Sequence, residues 1–181
     1  GKTTVAVNLA IALARTGSRV GMIDADIYGP NVPMMLGLQG QLGTDGEKIV
    51  PPEKYGLQVV SMGFLTSDDA PVIWRGPMLH GVIRQFFNDV RWNDLDYLVV
   101  DLPPGTGDVV LSLSQTAYVA GAIVVTSPQQ VAVADSRRAV VAVTSYDAGN
   151  CGNRGECGAA QRALLEQSAA TGVAVVAVEL A

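Results

Sequence analysis

The amino-acid sequence predicts an α/β fold, in which a doubly wound, mostly parallel sheet carries helices on both faces. The chain has 181 residues, 49% of them hydrophobic, which is the size and apolar content of one globular domain. Short apolar runs alternate along the chain with segments of helical periodicity, and this order is typical of α/β proteins. The apolar runs are nearly continuous, as expected of strands that are buried on both faces of a parallel sheet.

The predicted strands are β-branched or otherwise apolar runs that are bounded by polar residues or glycine. They are Val20–Ile23, Leu57–Met62, Tyr97–Val100, Ala122–Thr126 and Val173–Val178. The predicted helices are Thr3–Arg15, Pro77–Asp89, Val109–Thr116, Val131–Val141 and Ala159–Thr171. Pro77 suits the first turn of its helix, because an N–H at that position has no partner within the helix. The segment Gly37–Tyr55, rich in glycine, proline and charge, is predicted to be an excursion or a hairpin.

Charge and hydropathy argue against several classes of function. The formal net charge is −5 and the chain has no basic run, so we expect no binding to the phosphate backbone of nucleic acids. No apolar stretch approaches the roughly 20 residues that cross a bilayer, and the first residues do not have the pattern of a signal peptide. We therefore expect no membrane partner and a cytoplasmic location.

The first four residues resemble the end of a phosphate-binding loop. Gly1-Lys2-Thr3-Thr4 matches the second half of G-x-x-x-x-G-K-[ST], and the glycine-rich first half is not in the sequence. We expect the sequence to be a truncated part of a longer chain. A helix that begins here would offer backbone N–H groups to phosphates, with Lys2 reaching the β- and γ-phosphates and the Thr3 hydroxyl ligating Mg²⁺.

Carboxylates at the ends of two predicted strands fit the same site. In YLVVDLPPGTGD an apolar strand ends in Asp101, which is the context of a carboxylate that holds Mg²⁺ through water. A helix cap is the structural alternative, but the next predicted helix begins only at Val109. Asp24 and Asp26, in VGMIDADIYGPN, follow another strand, and strand alternation places both on one side. These residues predict a single site for a metal-bound nucleotide.

Four longer phrases resemble one protein family. They are IDADIYGPNVPMMLG, PVIWRGPMLHGVIRQFF, DYLVVDLPPGTGDVVLSLSQ and VVTSPQQVAVADSRRAV. They are similar, nearly word for word, to the Mrp/ApbC-type ATPases of iron–sulfur cluster assembly, which belong to the MinD/ParA group with a deviant P-loop. The resemblance covers about residues 1–142.

The resemblance implies a role for each matching residue. The implied phosphate-binding residues are Gly1, Lys2, Thr3, Thr4 and Gly105. Gly105 would sense the γ-phosphate through its N–H, and Thr3 would also bind Mg²⁺. Asp24 would lie in the outer shell of the metal, Asp26 would position the attacking water, and Asp101 would be the Walker B carboxylate.

The family also implies a biochemical function. It is that of a homodimeric, Mg²⁺-dependent ATPase that assembles or transfers iron–sulfur clusters, with cluster-assembly scaffolds and apo iron–sulfur proteins as partners. One alternative is a cluster-binding scaffold without useful ATP hydrolysis. Another is a positioning ATPase of the MinD/ParA type, which needs an amphipathic C-terminal helix, whereas the final residues VAVVAVELA are typical of a strand.

The sequence departs from the family after about residue 142. We expect residues 1–181 to form a single P-loop NTPase domain that is atypical in this last part. The family's Asn-Met-Ser phrase is absent there, so no residue is assigned to adenine recognition. The family has a C-x-x-C pair, whereas Cys151 and Cys157 stand in CGNRGEC.

The cysteine spacing alone allows either free thiols or a looser metal-binding loop. The resemblance favours cluster ligands. Two cysteines supply half of the four thiolates that a 4Fe-4S cluster requires, so Cys151 and Cys157 from both subunits of a symmetric dimer would complete the set.

Overall fold

The computed structural model describes residues 1–27, 29–39, 42–65, 76–103, 113, 117, 119–134 and 174–180. The helices are α1 (Lys2–Arg15), α2 (Val32–Leu36) and α3 (Gly76–Asn88), with a short 3-10 turn at Met62–Phe64. The strands are β1 (Val20–Asp24), β2 (Gly43–Asp45), β3 (Lys48–Val50), β4 (Glu53–Lys54), β5 (Leu57–Ser61), β6 (Tyr97–Asp101), β7 (Val119–Val125) and β8 (Ala174–Leu180). No helix among these residues is both long enough and apolar enough to span a bilayer.

A six-stranded sheet forms the centre of the molecule, in the order β4-β5-β1-β6-β8-β7. All neighbouring strands are parallel except the short edge strand β4, which is antiparallel to β5. The register aligns the last residues of three adjacent strands, since Asp24 pairs with Ser61 on one side and with Asp101 on the other. Parallel strands bring polar residues that are distant in sequence to one edge of the sheet.

Helices cover both faces of this sheet. On one face, Ala6, Val7 and Ala10 of α1 pack against Met22 and Val59, among other buried residues. On the opposite face, Ile83 and Phe86 of α3 belong to a second buried cluster, together with Ile23, Val60 and Val100. The structure thus confirms the predicted doubly wound, mostly parallel α/β fold.

The predicted helices and strands agree with the structure wherever they fall on described residues. All five predicted strands are present with ends shifted by at most three residues, and so are helices α1 and α3. The predicted helices Val109–Thr116 and Ala159–Thr171 lie outside the described residues, apart from Leu113, which is helical. The predicted helix Val131–Val141 is described only as far as residue 134, and it is helical to that point.

The segment between α2 and β5 contains an antiparallel hairpin, β2–β3, followed by β4. This confirms the predicted excursion over Gly37–Tyr55. Helix α2 itself was not predicted, because its five residues are too few to show helical periodicity. It ends at Gly37, which has φ of 65° in the left-handed region that glycine adopts without strain.

Gly21 in β1 has no side chain, and core side chains on the α3 face of the sheet occupy the space beside it. A Cβ on Gly21 would lie 2.6 Å from Leu95 Cδ1, 2.8 Å from Leu98 Cδ1 and 3.0 Å from Trp92 Cζ3. We expect Gly21→Ala to lower the free energy of unfolding by about 1–3 kcal/mol, as overpacked core substitutions do. Urea denaturation measures this change.

The matched control is Gly81→Ala. Gly81 lies in α3. Apart from its chain neighbours and the nearby backbone of its own helix, no atom of the described residues lies within 4 Å of a Cβ built there. We expect this variant to gain about 0.5–1 kcal/mol, because alanine loses less backbone entropy than glycine in a helix. Equal effects of the two variants would contradict the packing account.

Candidate phosphate and metal site

Three buried polar side chains form a row at the carboxyl edge of the sheet. Ser61, Asp24 and Asp101 end β5, β1 and β6, and each has a relative exposure of 0%. They lie on the same face as Met22 and Val59, because side chains two residues apart in a strand share a face. That face is covered by α1, so the row lies below the helix that begins at Lys2.

Lys2 and Asp101 form a buried ion pair. The Lys2 side chain is 5% exposed, and its Nζ donates a hydrogen bond to Asp101 Oδ1. Lys2 is the first residue of α1 and follows Gly1, the N-cap residue. A buried ammonium therefore stands at a helix N-terminus, where backbone N–H groups and the helix dipole also favour anions.

The second carboxylate oxygen of Asp101 is the unusual atom of the site. Among the described residues, Asp101 Oδ2 is buried and accepts no hydrogen bond. Burial raises the pKa of Asp101, while the Lys2 ammonium and the Thr3 hydroxyl lower it and the charge of Asp26 raises it. An unpaired buried carboxylate oxygen is unfavourable unless a cation or a water molecule contacts it. The oxygen is thus suited to a metal-bound water.

The described residues contain no group of three or more His, Cys, Asp or Glu side chains arranged to hold a metal ion. A Mg²⁺ ion in nucleotide-binding proteins does not need such a group. There the ion is held by one or two carboxylates together with the phosphates of the substrate, and it keeps several waters. The chemistry of Thr3 and Asp101 fits Mg²⁺ in that form.

Both oxygens of Asp24 have donors within the protein. Oδ1 accepts a hydrogen bond from the backbone N–H of Asp26 at 3.2 Å. Oδ2 accepts one from the N–H of Val32 at 3.2 Å and one from Ser61 Oγ at 2.9 Å. Burial raises the pKa of Asp24 to about 6, the three hydrogen bonds lower it, and the charge of Asp101 adds to the increase. The Asp24 carboxylate therefore holds the loop that follows β1 in place through hydrogen bonds.

That loop carries Asp26 toward the Lys2–Asp101 pair. Asp26 is partly buried, and its Oδ1 accepts a hydrogen bond from Gly29 N at 3.2 Å. Its charge affects the pKa of Asp101, so the two carboxylates lie in the same electrostatic environment. Asn31 closes the loop by donating from Nδ2 to Gly29 O at 2.7 Å.

The structure brings together most of the predicted site. Lys2, Thr3 and Asp26 interact with Asp101, and Asp24 is its neighbour in the sheet. Gly1 and Thr4 adjoin Lys2 and Thr3 at the start of α1. Gly105, Cys151 and Cys157 lie outside the described residues. Ser61 is a member of the site that the sequence prediction does not include, although it is a polar residue at the end of the apolar run LQVVS, as Asp24 and Asp101 are at the ends of theirs.

The fold and the edge site define a class of protein. In P-loop NTPases, a lysine at the start of a helix lies beside an aspartate at the end of a strand, at the edge of a parallel sheet. The chain belongs to the ParA family, whose model is described as an NUBPL iron-transfer P-loop NTPase and matches residues 1–152. This confirms the family that the sequence phrases indicated.

Curated relatives agree with this family. An iron-sulfur cluster carrier protein of Synechocystis sp. is 58% identical over 143 residues, which are 76% of this chain and 40% of that protein. The protein of the same name from Escherichia coli K12 is 49% identical over 143 residues, 78% of this chain and 39% of its own. The chain thus spans about 40% of the length of these relatives.

A solved structure shares the fold. A nucleotide-binding protein from Archaeoglobus fulgidus, in complex with ADP, superposes with a TM-score of 0.63 at 28% sequence identity. The match covers 99% of this chain and 76% of that chain.

Proposed function

We propose that this chain is the nucleotide-hydrolysing part of a carrier that binds iron–sulfur clusters and transfers them to apo-proteins, with Mg²⁺-ATP as its substrate. The observation that carries the proposal is the buried Lys2–Asp101 pair, in which Asp101 Oδ2 has no donor among the residues described. The site has a cation for phosphates and a carboxylate for metal-bound water. The curated relatives are named as cluster carriers, which supports the proposed cargo.

Phosphate binding would use the beginning of α1. Lys2 contacts a carboxylate in the structure, and in the complex its ammonium would contact the β- and γ-phosphates in place of Asp101 Oδ1. The N–H groups of Gly1, Thr3 and Thr4 would add donors at the helix N-terminus. Gly105, by the family resemblance, would donate its N–H to the γ-phosphate. The ion pair therefore gives the buried lysine a partner until an anionic substrate arrives.

Metal binding would use Thr3 and Asp101. When bound, Mg²⁺ neutralises charge on the β- and γ-phosphate oxygens. The Thr3 hydroxyl would ligate the ion directly. Asp101 would accept hydrogen bonds from the ion's water through Oδ2, which has no donor among the described residues. Asp24 would lie behind this shell, oriented by its three hydrogen bonds.

Hydrolysis would need a carboxylate that orients water, and Asp26 is suited to this. It lies on the loop beyond β1 and is less buried than Asp24 and Asp101. In the reaction, the water oxygen bonds to the γ-phosphorus and the bond to the bridging oxygen breaks, while a proton of the water passes to a phosphate oxygen or to solvent, giving ADP and phosphate. Asp26 would accept a hydrogen bond from that water and hold it in line.

The cluster is the cargo, and we assign its ligands to Cys151 and Cys157 of two subunits. The expected result of anaerobic reconstitution is about four irons per dimer, with the visible charge-transfer absorption of thiolate-bound iron. Replacing either cysteine with serine removes two ligands from the symmetric site, so stable cluster binding is expected to be lost. ATP hydrolysis is expected to persist, since the phosphate site uses Lys2 and Asp101.

Iron content, absorption and transfer to an apo-protein measure this outcome in the full-length protein. A protein with both cysteines replaced that still binds and transfers its cluster would show that the ligands lie elsewhere. It would leave the assignment of the phosphate site unchanged.

A further inference from the structure

Ser61 connects the row of carboxylates to the loop that carries Asp26. The Ser61 side chain is fully buried, and its hydroxyl makes two hydrogen bonds. It accepts one from Gly63 N at 3.0 Å, and it donates its single proton to Asp24 Oδ2 at 2.9 Å. The hydroxyl is therefore held in one orientation, with its proton directed at the carboxylate.

Asp24 in turn accepts hydrogen bonds from both ends of the loop that follows β1. Its Oδ1 holds the N–H of Asp26, and its Oδ2 holds the N–H of Val32, the first residue of α2. The 3-10 turn that begins after Ser61 also contacts the loop, because a Cβ on Gly63 would lie 3.1 Å from Pro30 Cβ and Cγ. The end of β5 thus fixes the loop through hydrogen bonds and through packing.

We propose that Ser61 is a positioning residue for ATP hydrolysis, which acts through Asp24 to hold Asp26 at the phosphate site. The inference rests on the proposed function. Without the hydroxyl, Asp24 Oδ2 would lose one of its two donors among the described residues, and Gly63 N would lose its hydrogen bond to Ser61 Oγ. The Asp26 peptide would then sample other positions, while Lys2 and the start of α1 would stay as they are.

The test is Ser61→Ala in the full-length protein, which removes one oxygen and adds no volume. We expect kcat for ATP hydrolysis to fall about 10-fold to 100-fold, the usual effect of losing a hydrogen bond that orients a functional group. KM for ATP is expected to stay within about twofold, because Lys2 is not affected. Ser61→Thr keeps the hydroxyl, and we expect it to restore most of the lost kcat.

Gln58→Met is the matched control. Gln58 is a buried polar residue of the same strand, three positions earlier, so it faces the opposite side of the sheet. Its amide makes hydrogen bonds to the backbone of Asn93, through Asn93 N at 3.0 Å and Asn93 O at 3.4 Å. We expect this variant to lose stability while kcat remains unchanged.

Hydrogen exchange gives a second readout that does not need turnover. We expect the amides of Asp26, Val32 and Gly63 to exchange about fivefold faster in Ser61→Ala, as for the loss of about 1 kcal/mol of hydrogen bonding. Unchanged kcat in Ser61→Ala, or an equal loss in Gln58→Met, would overturn the inference. A wild-type protein without phosphate release would instead overturn the proposed function, and the exchange rates would still decide whether Ser61 holds the loop.

Discussion

Lys2→Ala is expected to abolish ATP hydrolysis in the full-length protein. Lys2 is the buried cation of the site, and its ammonium would stabilise the charge that develops on the transferred phosphoryl group. Loss of such a group from a buried site lowers kcat by about 100-fold to 1,000-fold, which places turnover near background. A continuous assay of phosphate release measures it.

The controls separate catalysis from folding. Lys2→Ala leaves Asp101 buried without its partner, which destabilises the ligand-free protein as well. Lys2→Gln removes the charge but keeps a donor for Asp101, so we expect a folded and inactive protein. Lys48 is an exposed lysine whose Nζ donates to Asn88 O at 2.6 Å, and Lys48→Ala is expected to hydrolyse ATP normally. Normal turnover in folded Lys2→Gln would contradict the assignment of the phosphate site.

Asp26→Ala is expected to keep ATP binding and to lose hydrolysis. Its carboxylate would orient water and would not contact phosphate, so its removal acts on kcat, by about 100-fold to 10,000-fold. Affinity for ATP, measured by equilibrium binding, is expected to remain near that of the wild type. Asp45→Ala is the matched control, since Asp45 is an exposed carboxylate paired with Arg91 outside the site.

The relation between affinity and turnover decides the role of Asp26. A loss of ATP affinity equal to the loss of turnover would show that Asp26 is a metal ligand. The same variant would then depend on Mg²⁺ concentration more strongly than the wild type.

The sequence could predict the sheet and the residues at its edge for a simple physical reason. Each buried parallel strand is a continuous apolar run, and the first polar residue after the run marks the carboxyl end of the strand. Asp24 and Asp101 were found in this way, and Lys2 was found from the phosphate-loop motif. Asp24 and Asp101 lie together because parallel strands end at one edge, and Lys2 contacts Asp101 from the start of α1.

Other features depend on contacts that arise only when the chain is folded. That both oxygens of Asp24 are occupied follows from the course of the loop to Val32 and from the neighbouring strand that ends in Ser61. Helix α2 has only five residues, so it shows no periodic signal. Its ends are set by the hydrogen bond from Val32 N to Asp24 and by Gly37 in the left-handed region. That Asp101 Oδ2 is buried without a donor among the described residues likewise depends on how its neighbours pack in the fold.

The most direct test of the account is the Mg²⁺ dependence of phosphate release by the full-length protein. We expect hydrolysis of ATP in the presence of Mg²⁺, loss of activity to background on chelation with EDTA, and recovery when excess Mg²⁺ is added. The measurement is made on protein that carries a reconstituted cluster. Cluster binding and transfer without any Mg²⁺-dependent phosphate release would contradict the account and would indicate a scaffold that does not hydrolyse ATP.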